Sequence, residues 1–99
     1  MASRSGGMYD LAREARKKAD EAASIIEEQV IKTTTVNMES LRPHIADKTA
    51  FNQLIAVVND ATRKNYTTAE LQEQIAALGA NVIDTAAEVA SIMKKVVLS

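Results

Sequence analysis

The stretch ALGANVIDTAAEVASIM, residues 77 to 93, holds only two charged side chains, Asp84 and Glu88. Its apolar residues recur every three or four positions, which places them on one side of an α-helix, and such a helix must bury that side against something. Leu71, Ile75, Leu78, Val82, Ala86, Val89, Met93 and Val96 stay in phase, and Ile83, Ala90, Ile92 and Val97 widen the apolar face to roughly 180°. The start of this segment is marked by YTTAEL. Thr67 is suited to cap the helix, Glu70 to close a capping box three residues on, and Tyr66 to pack on Leu71. These signals predict a helix over about 68–97. Gly79 interrupts it at a cost of about 1 kcal/mol relative to Ala. Because the apolar phase survives the glycine, one long helix is favoured over a break in which Gly79 ends one helix and Asn81 caps the next.

Two further helices follow from the same periodicity. Over about 9–32, Leu11, Ala12, Ala15, Ala19, Ala22, Ala23, Ile25, Ile26 and Val30 share a face, mostly of alanine, which permits close approach but buries little area per residue. Ala50, Phe51, Leu54, Ile55, Val57, Val58 and Ala61 form a second stripe. Ile45 falls opposite it, so this helix is expected over about 48–63, with Asp47 as N-cap. Arg63, Lys64 and Asn65 suit its far end. The connection TTTVNMESLRPHIA between these helices is long for a bundle; Met38, Leu41 and Ile45 are expected to pin it loosely. A strand over Val30 to Val36 pairing with KKVVL is the weaker reading, since neither segment alternates cleanly.

The fold expected is all-α: a three-helix bundle with a long helix 1, a short helix 2 and a long helix 3, or four helices if Gly79 breaks the last. Residues 1–7, MASRSGG, are expected as a flexible arm ahead of a single helical domain over 8–99. At 1.5 Å per residue the helices measure about 36, 24 and 45 Å. Helix 2 is then too short to cover helix 3, and the apolar face carried by Val82, Val89, Ile92, Met93, Val96 and Val97 is expected to seek a second copy or another helical protein.

Composition bounds the function. Ninety-nine residues with 46% hydrophobic and 25% charged side chains describe an ordinary small domain, and a chain of this size gains from a partner subunit. A net charge of -1 gives no long-range attraction to nucleic acid or to an anionic membrane. Asn81, Asp84 and Glu88 argue against a membrane span in the most apolar window. With no Cys there is neither thiol chemistry nor a zinc-thiolate site. No secretory signal is readable, so the default compartment is the cytoplasm, with export by a route lacking a cleaved signal left open.

No G-x-x-x-x-G-K, G-x-G-x-x-G, H-E-x-x-H or G-x-S-x-G pattern occurs. His44 is the sole histidine and lacks fellow ligands for a transition metal. Asp47 three residues on is the one group placed to orient it for acid–base work, and HIADK departs from the His-x-x-Lys-Gly pattern of phosphoryl-accepting helical modules. Glu27 and Glu28 are expected on a polar helix face. In REARKKADE, the basic residues Arg13, Arg16, Lys17 and Lys18 are the candidate nucleic-acid contacts. The spacing pairs Glu14 with Lys18, Arg16 with Asp20 and Lys17 with Glu21, which would neutralise much of that charge. The expectation is therefore a non-catalytic assembly module without cofactor or metal, a subunit of a filament, secretion apparatus or virion. The alternative is a small regulator that binds nucleic acid through helix 1.

Overall fold

A computed structural model describes the backbone of residues 2–33 and 36–98, and the side chains within these from Arg13 to Val96. Helix α1 (Ala2–Ile26) runs into a π-helical segment (Glu27–Lys32). A 3-10 helix (Met38–His44) follows, then α2 (Lys48–Lys64), α3 (Thr68–Ala77) and α4 (Ala80–Leu98). No strand occurs among the described residues, and the segments expected to pair as strands lie in the π-helical turn and in α4. The backbone is already helical at Ala2, so α1 takes in residues 2–7. Lengthening a formed helix fixes one residue per added hydrogen bond, which is far easier than starting one.

The helix boundaries show which local signals act. Asp47 accepts a hydrogen bond from the Ala50 amide at 3.0 Å, satisfying one of the free donors of the first turn of α2. At its other end Asn65 adopts the left-handed conformation (φ 55°), and the Asn65 amide donates to the Ala61 carbonyl. The Glu70 amide donates to Thr67 Oγ1 at 3.2 Å while the Thr67 amide donates to Glu70 Oε1 at 3.0 Å, a closed capping box at the start of α3.

The long final helix does not form. α3 ends in a tight turn in which the Leu78 amide donates to the Ile75 carbonyl and the Gly79 amide to the Ala76 carbonyl. Gly79 has φ +103°, a conformation that side-chain-bearing residues rarely adopt. α4 starts directly after it, with the Ile83 amide donating to the Gly79 carbonyl at 3.1 Å. Asn81 is thus inside α4, and the boundary belongs to Gly79. Leu78 marks the difference. It sits in the apolar stripe of a continuous helix, yet the turn leaves it 41% exposed.

The break changes what α4 packs on. α1 lies against both α3 and α4. The ion pair Lys18–Asp84, with Ala22 and Ile25 facing Ala87, Ala90, Ser91 and Lys94, sets α4 parallel to α1. The hydrogen bond from Thr68 to Glu27, with Gln72 level with Arg16 and Asp20, sets α3 antiparallel to it. Ala19, Ala22 and Ala23 are fully buried, and their small side chains let the backbones approach closely. The buried residues form one cluster drawn from all four helices and the 3-10 segment, with Phe51, Ile26, Leu54, Leu71, Ile75, Val89 and Met93 among its largest members.

Candidate interaction surfaces

The face predicted for docking is divided by this packing. Val82, Val89 and Met93 are buried within the chain, the last two at 0% exposure, so they are core residues and not a docking surface. Folding α4 back at Gly79 brings that face onto α1 and α2, which supplies from within the chain the cover expected from a partner. Ile92 is half-buried against the same cluster and Val96 is 56% exposed. The side chain of Val97 lies outside the described residues.

The loop expected to be loosely pinned is held firmly. Met38, Leu41 and Ile45 are all buried. Asn37 caps the 3-10 helix by accepting from the Glu39 amide at 3.0 Å, and Ser40 Oγ donates to the Asn37 carbonyl. Arg42 then ties the segment to α2. It donates to both Glu39 carboxylate oxygens (3.0 and 3.1 Å) and to Asn52 Oδ1 (2.7 Å), and its guanidinium lies 5.1 Å from the Phe51 ring centroid. The Arg42 guanidinium holds the Glu39 carboxyl below its ordinary value, and Glu39 in turn raises Arg42. The Arg42 carbonyl accepts from Lys48 Nζ. Sequence spacing did not reveal this hub, although the Glu39–Arg42 interval of three was a signal.

Where the π-helical segment, the 3-10 segment and α2 meet, they enclose a groove of about 430 Å³. Val30, Val36, Met38, Ile55 and Val58 line it, with Asn37, Glu39 and Asn59 as its polar members. The exposed Val96 is near this end of the bundle, because the parallel register of Lys18 on Asp84 carries α4 to the level of Val30.

Glu27 is the polar residue that the sequence reading misplaced. It is 8% exposed, not solvated. Its Oε2 accepts from Thr68 Oγ1 at 2.8 Å, and its Oε1 pairs with Lys32 Nζ at 3.1 Å. The carboxylate thus meets the first turn of α3, where the free amides favour negative charge. Four residues after buried Ala23, it borders the apolar face of α1, and that was the available signal. Both oxygens are engaged, which makes Glu27 a clip between helices. Among the described residues no buried side-chain polar atom lacks a partner.

The basic cluster splits between two faces. Lys18 reaches across to Asp84 at 3.6 Å. Arg13, Arg16 and Lys17 instead line a shallow groove with Asp20 and Gln72. None of the three expected four-residue pairs closes; ion pairs form instead at Lys18–Asp84, Lys32–Glu27, Arg42–Glu39 and Arg63–Asp60. His44 lies exposed at the end of the 3-10 helix. Asp47, its proposed orienting partner, is instead engaged with the Ala50 amide as a cap. Among the described residues no group of three or more His, Cys, Asp or Glu side chains could hold a metal ion. No helix there is long and apolar enough to cross a membrane.

Compared with protein-family profiles, with curated proteins and with solved structures, the chain matches none.

Proposed function

We propose that the protein is a non-catalytic helical assembly module that associates with further copies of itself head to tail. The observation that carries this reading is the groove between the π-helical segment, the 3-10 segment and α2, whose lining includes Val30, Val36, Met38, Ile55 and Val58. The burial of Val82, Val89 and Met93 moves the contact away from α4's inner face. Among the described residues Leu78 and Val96 are the large exposed hydrophobic ones, and Leu78 projects from the α3–α4 turn. α3 runs antiparallel to α1 from its junction with Glu27, so Leu78 stands at the opposite end from the groove. A knob at one end and a hole at the other form a heterologous pair, which propagates into a ring or a filament. A lining that mixes apolar side chains with a few polar ones is compatible with a protein contact.

The test is molar mass in solution across a concentration series. Mass rising with concentration in the native chain, and remaining that of the monomer in both Leu78→Glu and Asn59→Arg, is the expected result. Neither position is buried, so both variants keep the fold. A native chain that stays monomeric throughout, or association untouched by either substitution, would overturn the reading.

A further inference from the structure

We propose that the groove between α1 and α3 binds the phosphate backbone of duplex nucleic acid without reading its sequence. Arg13, Arg16 and Lys17 line one wall of this groove of about 360 Å³, and the half-buried Gln72 of α3 adds an amide from the other. Among the described residues three cations stand there against the one carboxylate of Asp20, and no ion pair among those residues engages any of the three. Spaced three and four residues apart on a rigid helix, they present charge along about 6 Å of its length. This is a short row suited to successive phosphates.

The lining also selects among polyanions. Among the described residues its lining has no aromatic side chain for stacking unpaired bases, which single-strand binding uses. Among the described residues it has no wholly apolar side chain of the kind that enters a lipid surface. Paired charges on a phosphate backbone remain as the ligand chemistry. With a net charge of -1 on the whole chain, attraction is confined to this patch, and binding is weak and strongly salt-dependent.

Binding of a short mixed-sequence DNA duplex by the full chain, followed by fluorescence anisotropy from 50 to 200 mM salt, tests this. Three phosphate contacts give a log–log slope of about −2.7, so affinity falls roughly forty-fold over that range. Arg16→Gln is expected to reduce the slope by about 1, and the triple change of Arg13, Arg16 and Lys17 to Gln to abolish binding. Arg63→Gln, outside the groove, should leave both unchanged. A helical circular dichroism spectrum for each variant separates lost contact from lost fold. Absence of binding at 50 mM salt overturns the proposal. So does equal affinity for polyglutamate or for anionic phospholipid vesicles, and so does a triple variant that is folded and still binds.

Discussion

Single residues in this protein do work that their neighbours in sequence only partly announce. Arg42 follows an unremarkable serine and leucine, yet it joins Glu39, Asn52 and the Phe51 ring and so fixes the 3-10 segment to α2. Glu39 carries the pH dependence of that clip. Its carboxyl is held below the ordinary value by the hydrogen bonds from Arg42. The stabilisation is therefore full above the ordinary glutamate value of about 4.3 and is lost as pH falls through the lowered folded value. Glu39→Gln should be less stable than the native chain at neutral pH, and urea midpoints of the two should converge on acidification. Midpoints that stay equally far apart down to strong acid would mean that Arg42 does not distinguish the ionised carboxylate. Glu27 teaches a related lesson. Its position at the edge of the alanine face was legible, but only Thr68, distant in sequence, reveals why a carboxylate can be buried there.

At the scale of elements, the caps were readable and the course of the chain was not. Asp47, Thr67 with Glu70, and Asn65 act within one turn of their own backbone, so the boundaries of α2 and the start of α3 follow from neighbouring residues alone. The break at Gly79 could not be decided that way. Helical periodicity counts residues and carries no record of direction, so two helices separated by a tight turn keep the same apolar phase as one continuous helix. Gly79 tests the point. A Cβ added there would meet nothing within 4 Å, so any penalty on Gly79→Ala comes from its φ of +103° and not from crowding. A residue held in such a region costs about 1–3 kcal/mol, and chemical denaturation should show a loss of that size. A midpoint equal to or above that of the native chain would mean that the helices run on through the glycine. The π-helical end of α1 belongs to the same scale: its i to i+5 bonding shifts side chains off the α-helical wheel, so Val30 and Ile31 end half-buried.

For the whole molecule the decisive fact is that α4 is covered by its own chain. Met93 and Val89 are fully buried between α4 and its neighbours, whereas Val96 is 56% exposed. Placing a carboxylate at a core position leaves a charge without water or partner, so Met93→Asp should unfold the chain. Val96→Asp should leave the thermal midpoint and the helical content near native. Equal unfolding by both would mean that the end of α4 is packed as tightly as its middle, and tolerance of both would mean that α4 is not part of the core.

Local sequence signals specify the all-helical class, the starts of α2 and α3, and the apolar positions of the helices. These depend on interactions between residues a few positions apart, which periodicity and capping record directly. The packing of the helices is what runs α4 along α1, makes Val82, Val89 and Met93 interior, and sets Arg13, Arg16 and Lys17 along one groove while Lys18 reaches Asp84. Each of these depends on which faces meet across the bundle, and that is fixed by the sign of one glycine's φ and by contacts between residues tens of positions apart.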